Sequence, residues 1–451
     1  MTAASYCVVG GGISGLTAAY RLRAAVGDDA PITLFDPGDR LGGILRTERV
    51  GGQTMDLGAE AFVLRRPEMP ALLAELGLAG RQLVSTGARP LIYSRQELHP
   101  LPTGTVIGIP SAAGSVAGLV DEATVARIEA EPGRALAWQP GSDPATADLV
   151  GERFGEQVVT RSVDPLLSGV YAGSAATIGL RAAAPGVAAA LDRGATSLTD
   201  AVRRALPPAT GAPVFGALDG GYRVLLDALV ERARPDWIPA AVQGLEPDGA
   251  GWAVLDDSGA RRHADAVVLA VPAPRVARLI ADIAPAGAAA AGRIVSASSV
   301  VVALAVPGDT PFPECSGVLV ATGEPLRAKA ITLSSRKWGA RGENQLLRLS
   351  FGRCGDGLAE TASDDELLAW ALDDLAAVFG LAVDPVDARV QRWIRAMPQY
   401  GPGHAQLVAQ IRAGLPPTLA VAGSYLDGIG VPACIGAATR AIEALEVKVA
   451  R

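Results

Sequence analysis

The spacing of apolar residues changes period twice in the first forty positions. Ser5-Tyr6-Cys7-Val8-Val9 is a short apolar run suited to a buried strand, and from Ser14 to Arg23 the side chains Leu16, Ala19, Tyr20 and Leu22 recur at helical spacing. Pro31-Ile32-Thr33-Leu34-Phe35 returns to a strand pattern ending at Asp36, which completes a strand–helix–strand unit. Between Gly87 and Thr199 the pattern predicts short amphipathic helices broken by Pro and Gly, clearest over Leu119 to Glu129 and Asp148 to Leu167. Strand patterns reappear at Trp252 to Leu255, before a turn at Asp257-Ser258-Gly259, and at Asp265 to Val271, as if the first sheet resumed. Val300 to Val306, Gly317 to Ala321, Ala330 to Leu333 and Leu346 to Phe351 predict a second, antiparallel sheet, followed by a helix over Asp364 to Phe379. A strand at Leu419 to Ala422 and a helix from Val431 to Val449 bring the chain back to the first domain.

The expected fold is therefore α/β. A discontinuous Rossmann-like dinucleotide-binding domain takes residues 1–84, 205–297 and 394–451, a helical subdomain is inserted at 85–204, and a mixed α+β substrate domain occupies 298–393. Composition narrows the picture. A chain of 451 residues exceeds one ordinary core, and 49% hydrophobic with 19% charged residues describes a compact globular protein. Lys and Arg are scattered and the net charge is −7, which argues against nucleic acid as a partner. Cys7, Cys315, Cys354 and Cys434 lie far apart, and His99, His263 and His404 are not spaced as metal ligands, so a reduced, metal-free protein is expected. The start of the chain lacks the basic region and apolar core of a signal peptide, and no run approaches the ~18 apolar residues of a membrane helix. With a mean hydropathy of +0.27, the expectation is a cytoplasmic protein with at most peripheral membrane contact.

Gly10-Gly11-Gly12-Ile13-Ser14-Gly15 fits G-x-G-x-x-G between a strand and a helix. Gly10 serves the tight turn, Gly12 the close approach of a pyrophosphate and Gly15 the packing of helix on strand. Asp36 follows at the end of the second strand, where a carboxylate can accept from a ribose hydroxyl. Three further small-residue turns distinguish a long dinucleotide from NAD: Asp39-Arg40-Leu41-Gly42-Gly43, Met55 to Ala61, and Ala422 to Val431 ahead of the last helix, whose N-terminus suits a reduced flavin's negative charge.

In their order, these segments, with Leu218 to Leu229 and Asp265 to Pro274, resemble the amine-oxidase-like flavoproteins, and nearly the whole chain resembles the oxygen-dependent protoporphyrinogen and coproporphyrinogen oxidases of haem synthesis. Gly58 to Leu78, Val163 to Gly173 and Ser334 to Trp338 carry the most specific likeness; Glu60 ahead of an arginine pair is similar to bacterial coproporphyrinogen-type members. The resemblance implies noncovalent FAD contacted by Gly10, Gly11, Gly12, Ile13, Ser14, Gly15, Asp36, Pro37, Arg40, Gly43, Ile44, Gly58, Ala59, Glu60, Ala61, Val242, Trp393, Ile429, Gly430 and Val431. It also implies molecular oxygen as electron acceptor with hydrogen peroxide as by-product, coproporphyrinogen III, which carries four propionates, as substrate, and hand-over of the product to a downstream haem-pathway enzyme. Four propionates call for cations around an apolar cleft, which selects Arg65, Arg66 and Lys337, while Ser316, Leu319 and Ile331 resemble the family's macrocycle-facing wall. Ser316 stands where an aromatic residue is common. No catalytic side chain is singled out, because the flavin carries the redox step. Other outcomes on these motifs are a protoporphyrinogen IX oxidase, an amine oxidase, a carotenoid desaturase, or a flavin-free binding protein.

Overall fold

The computed structural model describes residues 4–208 and 211–446. Its first layer is a five-stranded, all-parallel sheet in the order Asp236–Ile238, Ile32–Phe35, Tyr6–Val9, Ala266–Leu269 and Leu419–Val421. The strands thus come from the start, middle and end of the chain. The inner strands are short, nearly continuous apolar runs because both faces of a parallel sheet are covered. On one face the Ile13–Val26 and Val431–Ala444 helices pack together with Arg223–Ala233. The last helix stops at Ala444, and the remainder of its anticipated length, to Val449, lies outside the described residues beyond Glu446.

Two strand assignments change. Trp252–Leu255 does not resume the first sheet: Gly251–Asp256 is the middle strand of a separate three-stranded antiparallel sheet with Val242–Asp248 and Arg261–Ala264. Tight turns at Gly249 and Gly259 fold these strands on each other, leaving only Ala266–Leu269 to enter the parallel sheet. The fifth parallel strand, Asp236–Ile238, is too short and polar to stand out in the apolar pattern.

The second large sheet has seven strands, in the order Asp387–Pro398, Ser296–Pro307, Asn344–Phe351, Ala330–Thr332, Gly317–Val320, Leu91–Ser94 and Glu97–Pro100. It is mixed rather than antiparallel, because Gly317–Val320 runs parallel to Leu91–Ser94. Those last two strands fall in the 85–204 segment expected to be helical. Asp364–Phe379 covers one face of this sheet and begins with a capping box between Ser363 and Glu366. The helices from Glu122 to Ala205 form their own apolar cluster. Asp148 to Leu167 is not one helix: Thr146–Phe154 stops at Gly155, whose φ is +97°, and a second helix starts at Glu156 and runs through a widened turn at Val159–Val163 into Asp164–Tyr171.

Candidate functional site

The Gly10–Gly15 turn links the central parallel strand to the Ile13–Val26 helix. A Cβ on Gly15 would lie 1.7 Å from the Gly10 carbonyl oxygen, and one on Gly10, whose φ is +107°, would lie 2.3 Å from that of Ala270. Gly12 differs: the single atom within 4 Å of its would-be Cβ is the Gly43 Cα at 3.9 Å. Its face is open where the turn and the Arg40–Gly43 loop approach, and the Gly42 amide donates to the Gly11 carbonyl at 2.8 Å. Asp36 accepts from the amides of Gly11 (2.6 Å) and Gly38 (2.9 Å), with exposed Pro37 between. Arg40 holds its own loop, donating to the carbonyls of Leu45 (2.9 Å) and Gly43 (2.8 Å). Val242 sits at a bulge in its strand, buried with Phe35 and Val9 behind the parallel sheet.

No side chain caps the helix that begins at Ile13, nor the one that begins at Val431 after Ile429-Gly430. Their first turns meet where the buried Cys434 thiol lies against Ser14; burial pushes that thiol up to about 11 against the lowering effect of Ser14. Two sets of unfilled backbone N–H groups therefore converge beside the open Gly12–Gly43 gap. Behind the last helix, Tyr400 Oη donates to the Ser424 carbonyl at 2.5 Å and accepts from the Gly428 amide at 2.9 Å. His404 stacks on Tyr400 at 3.9 Å and is hydrogen-bonded to the Tyr425 carbonyl at 2.8 Å, so it braces this loop from within; burial lowers its pKa.

The Asp56–Ala61 turn is gripped from the second sheet. Arg348 donates to the carbonyls of Asp56 (2.9 Å) and Gly58 (2.8 Å), and the Trp393 indole N–H to that of Leu57 (2.8 Å). A Cβ on Gly58 would lie 1.9 Å from the Ile44 carbonyl oxygen, so this turn also packs closely on the loop after Gly43; Ala59 joins the core below. Glu60 accepts from Ser334 Oγ at 2.5 Å and pairs with Lys337 at 3.0 Å. Burial works to raise the Glu60 carboxyl, but the Lys337 and Arg348 charges and the two hydrogen bonds outweigh it and hold the group at about 2. Asp56 goes the other way: burial pushes it up to about 7 despite hydrogen bonds from Thr47 and the Tyr222 amide.

Strand pairing decides which side chains of the second sheet face this turn. Arg348 and Trp393 do, and the register places Ala330, Thr332, Ser350, Val301 and Leu319 on the same face. Leu319 accordingly touches the helical cluster, and a Cβ on Gly169 would lie 3.6 Å from it. Ile331, one residue out of phase, is buried at 1% exposure under the Asp364–Phe379 helix on the opposite face, so it does not share a wall with Leu319. Ala330, Thr332 and Ser350, which the sequence reading passed over, provide a floor of small side chains instead.

The expected cations separate. Lys337 is bonded to Glu60 and lies 4.8 Å from the Trp338 ring. Arg66 is tied to Glu68 by two hydrogen bonds, of 2.7 and 3.2 Å. Arg65 is exposed and has no ion pair among the described residues. Ser316 is buried, and its amide donates to the carbonyl of Arg89 at 3.2 Å. Arg89 is exposed and likewise unpaired among the described residues, a cation that only strand pairing brings beside Ser316.

The flavin containing amine oxidoreductase family model matches residues 13–445. The chain belongs to this family. It is 75% identical over 455 residues to the coproporphyrinogen III oxidase of Mycobacterium tuberculosis (strain ATCC 25618 / H37Rv), covering 100% of both chains. It is 27% identical to the coproporphyrinogen III oxidase of Bacillus subtilis (strain 168), covering 95% of each. Among solved structures, a putative protoporphyrinogen oxidase from Exiguobacterium sp. 255-15 matches with a TM-score of 0.87 at 27% identity over 98% of each chain. No helix among the described residues is long and apolar enough to cross a membrane.

Proposed function

We propose that this chain oxidises coproporphyrinogen III to coproporphyrin III in haem synthesis, with noncovalently bound FAD as cofactor and molecular oxygen as the final electron acceptor, giving hydrogen peroxide. Full-length identity of 75% to a coproporphyrinogen III oxidase carries this reading. The residues present fit FAD: the gap at Gly12 and Gly43 admits a pyrophosphate against backbone, both converging helix N-termini lack side-chain caps, and Asp36 stands at the ribose position. FAD, when bound, supplies the hydride acceptor for the meso carbons of the substrate.

The protein's own part is placement. The small side chains of Ala330, Thr332 and Ser350, on the face shared with Leu319, would lie against a flat macrocycle. Arg65 and Arg89, exposed and without ion pairs among the described residues, would meet propionates. Lys337 serves chiefly to keep Glu60 ionised beside the turn, and Arg66, already engaged by Glu68, is the weakest of the predicted substrate cations. Arg348 and Trp393 hold the turn's carbonyls toward the substrate sheet, which fixes the backbone that the flavin would abut.

The test is anaerobic preparation of coproporphyrinogen III and protoporphyrinogen IX, followed by the aerobic appearance of porphyrin fluorescence with FAD-loaded protein. A higher kcat/KM for coproporphyrinogen III is expected. Preference for protoporphyrinogen IX would move the enzyme to a neighbouring reaction, and inactivity on both with FAD bound would overturn the haem assignment.

A further inference from the structure

Beyond the Glu60–Lys337 pair lies a second cavity, a cleft of about 350 Å³ between the Thr47–Asp56 hairpin, the Gly220-Gly221 turn and the Ser334–Trp338 helix. Its lining includes Glu60 and Ser334 but none of Gly10 to Gly15, Gly43, Leu319, Ala330 or Thr332. Three arginines, Arg49, Arg81 and Arg341, reach it. Arg341 and Arg81 share one carboxylate, Asp219, the first in close contact and the second at 3.9 Å. Arg49 is exposed and has no ion pair among the described residues.

The acids of the lining do not balance these cations. Glu60 is already neutralised by Lys337 at 3.0 Å. Asp56, held near half protonation at neutral pH by its burial, brings at most a partial charge. Asp219 therefore meets two guanidinium groups while Arg49 meets no carboxylate among the described residues, an excess of between about one and two positive charges. The Trp338 ring forms part of the same wall, with the Lys337 ammonium 4.8 Å from it. The volume is at the small end of ligand sites and too small for a tetrapyrrole, but it suits a compact molecule. Guanidinium groups arranged around such a space select planar carboxylate or tetrahedral phosphate oxygens over neutral ligands.

We propose that this cleft is a binding site for a small polyanion bearing two or more carboxylate or phosphate groups, sharing Asp56 and Glu60 with the turn assigned to the flavin but none of the other residues assigned to cofactor or porphyrinogen. The inference does not require the porphyrinogen assignment. It is tested by isothermal titration of the FAD-loaded protein with citrate in one arm and pyrophosphate in the other, at low salt and at about 0.15 M salt. Saturable binding of either ligand is expected, weakened about tenfold or more by Arg49→Gln and further by adding Arg341→Gln. Citrate preferred over pyrophosphate would identify the carboxylate form of the ligand, and the reverse order the phosphate form. Arg49→Gln removes no ion pair and so keeps the fold; an unchanged flavin absorbance spectrum checks this. Absence of saturable heat in both arms, or equal affinity in wild type and Arg49→Gln, would overturn the proposal. So would a raised KM for coproporphyrinogen III in Arg49→Gln, since the arginines would then belong to the substrate site.

Discussion

Asp56 offers a quantitative check on the turn that joins the two sheets. Its carboxyl is 7% exposed and is pushed from an ordinary value of 3.8 to about 7, burial outweighing the hydrogen bonds from Thr47 and Tyr222 and the Arg348 charge. In the unfolded chain the group ionises near 3.8, while in the folded protein it keeps its proton to about 7. The protonated carboxyl thus contributes stability that is fully present below about pH 4 and is lost as pH rises to about 7. The shift of roughly three units corresponds to about 4 kcal/mol over that window. Asp56→Asn keeps a carbonyl oxygen for Thr47 Oγ at 2.5 Å and the Tyr222 amide at 3.1 Å but cannot ionise. Urea midpoints of wild type and variant, both saturated with FAD, should diverge steadily from about pH 4.5 to pH 7, with Asp56→Asn gaining by a few kcal/mol, and run parallel above. Titrations shared by both proteins, including those of Glu60 and His404, cancel in this difference. Parallel curves across the whole range would refute the claim that burial dominates at Asp56.

Three other outcomes follow from the geometry. Gly12→Ala should fold with an unchanged melting temperature in the absence of FAD yet lose about tenfold or more in FAD affinity by fluorescence titration, because its Cβ meets only Gly43 at 3.9 Å; Gly15→Ala, whose Cβ would sit 1.7 Å from a backbone oxygen, should fail to accumulate as folded protein. Arg153→Met should cost about 3–5 kcal/mol in denaturant melts without altering the flavin spectrum, since it strands the fully buried Glu131, now paired at 2.8 Å, inside the helical cluster. Arg65→Gln and Arg89→Gln should each raise KM for coproporphyrinogen III about tenfold with little change in kcat, and protoporphyrinogen IX, with fewer propionates, should be affected less.

The glycine turns and helix starts of the first domain were legible in the sequence because they depend on local rules. A glycine that admits no Cβ, a strand ending in Asp36 and a small-residue turn before a helix each act within a few residues, and Gly10, Gly15, Asp36 and Gly430 take up the places those rules assign. The substrate side was less legible because its facing residues depend on register. Ile331 and Thr332 are neighbours, but only the pairing of Thr332 with Arg348 reveals which of them faces the Asp56–Ala61 turn. The Arg348 clamp and the Arg89–Ser316 contact likewise join segments hundreds of positions apart. A signal for the first was present: over Leu346 to Phe351, Arg348 and Ser350 interrupt an apolar run at alternate positions, so both lie on one face of the strand.

The Asp56–Ala61 turn explains why the two sheets must fold as one site. Three successive carbonyls, of Asp56, Leu57 and Gly58, are held by Arg348 and Trp393 of the second sheet, while the Asp56 side chain is held by Thr47 of its own hairpin and by the Tyr222 amide ahead of the Arg223–Ala233 helix, which packs on the first sheet. A buried guanidinium that loses both acceptors would remain unsatisfied in a low-dielectric interior, so the turn cannot separate from the substrate sheet without that cost. Apolar packing reinforces the join, with Met55 and Leu57 set against Ala303, Ala305 and Leu346. A flavin bound against the turn would be held relative to Ala330, Thr332 and Ser350 by these same bonds. That is the requirement of a reaction in which the cofactor performs the chemistry and the protein's contribution is distance and orientation.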